Sequence, residues 1–209
     1  WGWGNAGVVW RAWLGVVSRG GRRFLGMEDS EPARSKPPFA EAIRQDLKWL
    51  GLDWDEEAPP QSERAEAYEE ALKVIESRGL IYPCFCTRKE LRELAGAPQV
   101  GDEGAPYPGL CRNLSSGERE KKTAGGRRAS TRLLCPAEAQ WNFNDRLLGP
   151  QNMTLEQVGG DFALRRSDGV FAYQMAVAVA DLAAVRSTTF RRRDILARPT
   201  RTPNPGTSN

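Results

Sequence analysis

Three of the four cysteines in this 209-residue chain lie in two short stretches, YPCFC at residues 82–86 and YPGLC at 107–111. The run between them, AGAPQVGDEGAPYPG (95–109), is too rich in glycine and proline for a regular element. A bare loop of that length inside a compact domain needs something to hold it, and clustered thiols are suited to do so. The chain must therefore bring Cys84, Cys86 and Cys111 to one place, with a strand expected before the first pair and a helix after it.

Thiols grouped this way in a reducing compartment favour a metal over a disulfide. Zinc takes four tetrahedral ligands and accepts thiolates readily, so three sulfurs leave one position to fill. Cys135, in RLLCPAE, is one candidate, although a cysteine in such an apolar strand often serves only as a small hydrophobe. Tyr107, four residues before Cys111, is the other, because a divalent cation favours the phenolate as it favours the thiolate.

Composition narrows the chemistry further. The absence of histidine removes imidazole-based serine and cysteine triads, two-histidine metal sites and histidine general bases together. A net charge of +3 permits contact with a polyanion without arguing for one. Lys121–Lys122, Arg127–Arg128, Arg165–Arg166 and Arg191–Arg192–Arg193 could neutralise phosphates if they shared a face; taken singly they read as solvated surface. No apolar run is long enough to cross a bilayer, and we expect a cytoplasmic protein with no membrane association.

Hydrophobic periodicity supplies the rest of the frame. Trp10, Trp13, Leu14 and Val17 follow helical spacing up to Gly20–Gly21, and RFLGM (23–27) reads as a short buried strand. A second helix over 41–52 carries Ile43, Leu47 and Leu50 on one face after a Pro37–Pro38 breaker. Ser62 is placed to cap a third, with Ala67, Ala71, Leu72 and Ile75 as its stripe, followed by the strand LIY. Thr87 with Glu90, and Ser115 with Glu118, form capping boxes. STRLL, WNFND and DFALRR read as strands, and VFAYQMAVAVADLAAV (170–185) as a core helix or strand-helix join. The order implies an α/β layer interrupted by a module.

The segments YPCFCTRKEL, GDEGAPYPGLCR, GDFALRRSDGVFAYQMAV and MED…RS together resemble the glutamyl-queuosine tRNA(Asp) synthetases, shortened relatives of the glutamyl-tRNA synthetases, from about Gly4 to Leu196. The resemblance implies a Rossmann-type class I synthetase catalytic fold with an inserted zinc-binding module. Residues 1–82 and 160–197 would form the core, 83–159 the insertion and 198–209 a disordered tail. It also implies a monomer that activates glutamate with ATP, Mg2+ assisting, and transfers it through a glutamyl-adenylate to queuosine in tRNA(Asp). The family's zinc ligands fall on Cys84, Cys86, Tyr107 and Cys111, which selects Tyr107 over Cys135. Glu28 would meet the substrate ammonium, Tyr173 would wall the pocket, and Arg191 would take the substrate carboxylate, each suited to its role by charge or hydrogen bonding.

The resemblance also has departures. Gly4 and Asn5 match the last two positions of the nucleotide signature, but Gly2 and Trp3 stand where histidine and an aliphatic residue belong. Gly26 replaces an arginine, Glu31 an aspartate, Ala180 the first of a double aspartate and Arg192 a glycine. The lysine-serine loop that closes over ATP has no counterpart in RPTRTPNPGTSN. Losing one phosphate-stabilising donor costs about 10²–10³ in rate, so the chain is expected to be inactive as it stands. Two alternatives keep the lineage or the metal alone: a glutamyl-tRNA synthetase catalytic fragment, and a non-catalytic zinc-stabilised module that binds tRNA or a partner.

Overall fold

The computed structural model describes residues 3–30, 35–95, 107–136, 138–145, 148–154 and 160–183. Contacts divide the chain into two compact units, residues 1–69 with 176–209, and residues 70–175.

In the first unit, α1 (Trp3–Val17) leads into β1 (Phe24–Leu25), α2 (Pro37–Trp49) and β2 (Glu56–Glu57). β1 and β2 pair in parallel, Phe24 beside Glu56, so α2 lies on the crossover of a β-α-β connection. Pro37 and Pro38 occupy the first turn of α2 instead of standing outside it as a breaker. Their missing N–H groups would have had no intrahelical partner there, and their fixed φ suits the first turn. Gly51, at φ 72°, closes α2: the Leu52 N–H reaches back to the Leu47 carbonyl at 2.9 Å, and Leu47 and Leu52 are both buried.

Charged groups hold the two short strands together where few backbone bonds are available. The Arg23 guanidinium meets Asp53 at 2.5 Å and Asp55 at 2.7 Å, and the Trp13 indole N–H donates to Asp53 at 2.8 Å. Arg23 holds the Asp55 carboxyl down at about 2 by hydrogen bonds from its side chain and backbone N–H. Ser62 does not cap α3 (Ala65–Ser77); it lies in a 3-10 turn over Gln61–Glu63, and both its N–H and its hydroxyl donate to Asp29. The helix begins at Ala65, so Ser62 stands upstream of the cap position, and its two donors are taken by the Asp29 carboxylate of MED.

The second unit is built on a three-stranded antiparallel sheet in the order β3 (Ile81–Cys84), β4 (Ser130–Leu133), β7 (Ala163–Arg165). Among the described residues β3 is an edge strand, a position where Pro83 is tolerated. Its alternation buries Tyr82 and Cys84 on one face. α4 (Arg88–Ala95) and α5 (Ser116–Ala124) follow β3, and each starts with a reciprocal capping box, Thr87 with Glu90 and Ser115 with Glu118.

β5 (Gln140–Asp145) and β6 (Gly149–Thr154) form a separate hairpin. β6, GPQNMT, carries no strand signal in the sequence, since it has little apolar content and begins with glycine and proline. Gly149 takes φ 74° at the turn, and the Leu148 N–H donates to Asp145. α6 (Tyr173–Ala183) matches the apolar 170–185 segment, with Met175, Ala176 and Val177 buried. Among the described residues no helix is long and apolar enough to cross a membrane.

Candidate metal centre

The cysteine pair sits where β3 ends and α4 has not yet begun. Cys84 is the last residue of the strand, Phe85 and Cys86 turn the chain, and the Thr87–Glu90 box fixes the start of the helix immediately afterwards. Arg127 reinforces the turn by reaching the Phe85 carbonyl at 3.3 Å and Glu90 at 2.8 Å, while the Ser130 hydroxyl donates to the Cys84 carbonyl. From the far side of the Gly/Pro run, the 107–111 turn returns Tyr107 and Cys111 to the same place. Gly109 takes φ 78° at its bend.

Four donor atoms meet there. The sulfurs of Cys84, Cys86 and Cys111 lie within 4.8 Å of one another, with Cys86 and Cys111 3.6 Å apart. The Tyr107 hydroxyl oxygen stands 3.3 Å from the Cys84 sulfur and 3.6 Å from that of Cys86. Sulfurs about 2.3 Å from a tetrahedral zinc are about 3.8 Å apart, and a sulfur and an oxygen at about 2.0 Å are about 3.5 Å apart. The separations of 3.3 and 3.6 Å from the Tyr107 oxygen and 3.6 Å between Cys86 and Cys111 are close to these values, and the donor types suit zinc.

Backbone groups face the same donors. The Cys111 N–H donates to the Tyr107 oxygen at 2.8 Å, and the Phe85 N–H points at the Cys111 sulfur at 3.4 Å. Cys84, Phe85 and Cys111 are buried with Tyr82, and Cys86, Tyr107, Leu114 and Leu134 close around them. Cys135 is elsewhere: its thiol donates to the Gly160 carbonyl at 3.2 Å, and it is outside the three-cysteine group.

The ionisation of the cluster is uneven without a cation. Burial pushes the Cys86 thiol up to about 12, aided by the neighbouring Cys84 and Cys111 sulfurs. Burial also opposes Cys84, but hydrogen bonds from Tyr107 and the Cys86 backbone, with the charge of Arg132, bring it below the ordinary thiol value. Burial, then hydrogen bonding to the three sulfurs, holds the Tyr107 phenol well above its usual range. A bound dication would favour the deprotonated form of the thiols and the phenol that meet it.

A buried polar hub adjoins the cluster. Asp161, 2% exposed, accepts from the Tyr82 hydroxyl at 2.5 Å, from Arg112 at 2.6 and 2.9 Å, and from the Cys135 N–H at 2.8 Å. Burial opposes its charge, yet Arg112, Tyr82 and the Cys135 N–H together lower its pKa. The same burial, followed by the Asp161 hydrogen bond, raises Tyr82 far above the phenol range. Sequence reasoning missed Asp161 and Arg112; the only signals were an acid at the start of DFALRR and an arginine directly after Cys111.

The remaining site candidates are distributed as follows. Gly4 and Asn5 are exposed in the first turn of α1, and Glu28 is exposed after β1. Tyr173, 44% exposed, opens α6. Arg191, Arg192, Glu31 and the 198–209 tail lie outside the described residues. Of the basic clusters, Lys121–Lys122 end α5, while Arg127 is bonded to Glu90 and Arg166 to Asp168.

Comparison with known proteins identifies the family. The chain is 50% identical over 203 residues to the glutamyl-Q tRNA(Asp) synthetase of Nitratidesulfovibrio vulgaris, covering 93% of this chain and 62% of that protein. It is 42% identical over 202 residues to the protein of the same name from Symbiobacterium thermophilum, covering 92% and 62%. It is 39% identical over 187 residues to glutamate–tRNA ligase 2 of Alkalilimnicola ehrlichii, covering 86% and 39%. The chain thus spans about three fifths of the length of the first two relatives. The crystal structure of a glutamate-tRNA synthetase from Elizabethkingia anophelis shares the fold, with a TM-score of 0.71 at 23% identity over 86% of this chain and 39% of that one. Residues 4–199 match the family model for the catalytic domain of class I tRNA synthetases of the E and Q type, and the chain belongs to that family.

Proposed function

We propose that this protein is a glutamyl-queuosine tRNA(Asp) synthetase: it activates glutamate with ATP and transfers the glutamyl group to queuosine in tRNA(Asp). In the first step the glutamate carboxylate attacks the α-phosphate of ATP, forming the glutamyl-adenylate and releasing pyrophosphate. In the second a hydroxyl of the modified base takes the glutamyl group and AMP leaves. By this reading Glu28 holds the substrate ammonium, Tyr173 walls the pocket and Arg191 takes the substrate carboxylate, with Gly4 and Asn5 ending the nucleotide signature and Mg2+ accompanying ATP.

Cys84, Cys86, Tyr107 and Cys111 hold one Zn2+ in an inserted module, 83–159, between the halves of a Rossmann-type core. The metal's contribution is structural: it fixes the 107–111 turn against the end of β3. The protein works as a monomer in the cytoplasm, where thiols stay reduced. The observation that carries the reading is the Tyr107 oxygen 3.3 and 3.6 Å from two sulfurs of a three-cysteine group, in a chain most similar among the relatives above to a glutamyl-Q tRNA(Asp) synthetase.

Gly2 and Trp3 offer no imidazole donor to the phosphates, so activation is expected to be slowed by about 10²–10³, to background in a routine assay. The test therefore uses the protein at substrate-like concentration. It measures glutamate-dependent ATP–pyrophosphate exchange, then binding of, and transfer of labelled glutamate to, tRNA(Glu) and tRNA(Asp), the latter with and without queuosine. Label on the queuosine-bearing tRNA alone supports the proposal. Label on tRNA(Glu) turns the reading to a glutamyl-tRNA synthetase, and tRNA binding with no transfer turns it to a non-catalytic module.

A further inference from the structure

A tyrosine has two side-chain torsions and a ring that can turn away from any ligand position, so something must hold the Tyr107 oxygen beside the sulfurs. The Cys111 N–H fixes one direction at the oxygen. The ring face is fixed from β4: the Arg132 guanidinium lies 3.9 Å from the Tyr107 ring centroid, well inside the range of a cation over an aromatic face.

Arg132 is itself held. It stands opposite Tyr82 in the β3–β4 register, and its Nη1 donates to the Asp161 carbonyl at 2.8 Å. Its Nε is buried with no hydrogen-bond partner among the described residues. Arg132 is half-buried, and in that place its guanidinium stacks on the phenol while its charge and a hydrogen bond also act on the Cys84 sulfur, so it touches two of the four candidate ligands. Asp161 cannot drift to release it, because Tyr82, Arg112 and the Cys135 N–H bind its carboxylate.

We infer that Arg132 is a positioning residue of the metal centre: stacked on Tyr107 and anchored by the Asp161 carbonyl, it keeps the phenol oxygen at the fourth ligand position against replacement by water. This rests on the zinc reading above. A lysine at 132 would preserve the charge without the flat stacking surface or the fork that reaches the carbonyl.

The test compares the 209-residue chain with its Arg132→Ala, Arg132→Lys and Tyr107→Phe variants. Two readouts are used, the rate of zinc release into a chromophoric chelator and the visible spectrum of the cobalt-substituted protein. Outer-sphere groups of this kind change metal affinity by about 10–100-fold. Release from Arg132→Ala is expected to quicken by about that factor, with Arg132→Lys between it and wild type, and the Arg132→Ala cobalt spectrum should move toward that of Tyr107→Phe. Should Arg132→Ala fail to fold, Arg132→Lys carries the comparison. Wild-type protein that binds zinc while the Arg132 variants keep its release rate and spectrum overturns this inference alone. Wild-type protein that takes up no zinc overturns the zinc reading and this inference with it.

Discussion

Replacing Asp161 by asparagine removes one charge and almost no volume, which makes it a clean probe of the polar hub beside the cysteine cluster. The carboxylate is 2% exposed and accepts four hydrogen bonds, two from Arg112, one from Tyr82 and one from the Cys135 N–H. The asparagine oxygen can keep one or two of them. Its NH2 group then faces the Arg112 guanidinium or the Tyr82 hydroxyl, donor against donor. Removing one partner of a buried pair costs about 3–5 kcal/mol, mostly through the charge left unpaired.

Arg112 is 34% exposed and can recover some water, so the lower end, about 3 kcal/mol, is expected. For a chain of this length that corresponds to a fall of about 6–12 °C in the thermal midpoint. Urea unfolding at pH 7, followed by circular dichroism on zinc-loaded protein, measures it directly. Because folding lowers the Asp161 pKa from 3.8, its stabilisation is present above about pH 4 and is lost as pH falls through the folded value. A difference between wild type and Asp161→Asn smaller than about 1 kcal/mol at pH 7 would refute the view that this carboxylate is a stabilising hub.

Two other predictions use the surroundings of the site. Cys135→Ala should leave zinc stoichiometry at one equivalent, while Cys84→Ser should abolish retention through dialysis; dependence of zinc on Cys135 would mean the wrong fourth ligand. The Glu90 carboxyl, drawn down by the Thr87 N–H first and by Arg127 second, should titrate at about 2 in carbon-13 NMR. Its contribution to the α4 cap is then present above pH 4.5 and lost as pH falls toward 2. Titration at 4.5 or above would show the cap open in solution.

The parts of the structure legible in the sequence were those governed by local rules. Both capping boxes, the α6 segment and the return of Cys111 to Cys84 and Cys86 follow from spacing, because caps and thiol clusters depend on a few residues at fixed offsets. What could not be read depended on partners far along the chain. Ser62 resembles a helix cap, but α3 begins only at Ala65 and Ser62 is tied instead to Asp29, 33 residues away. Pro37 and Pro38 read as a break although the same fixed φ starts a helix as well as it stops one. β6 has no alternating apolar pattern and exists through its full register with β5. Spacing alone left Tyr107 and Cys135 open as the fourth ligand, and family resemblance was needed to choose between them. In the fold Tyr107 meets the sulfurs, while Cys135 turns to the Gly160 carbonyl.

X-ray absorption at the zinc K-edge of the purified, zinc-loaded chain tests the account at its centre. The prediction is a first shell of three sulfurs at about 2.3 Å and one oxygen at about 2.0 Å, the oxygen contribution changing in Tyr107→Phe. A shell of four sulfurs, or a chain that holds no zinc after dialysis, would contradict it.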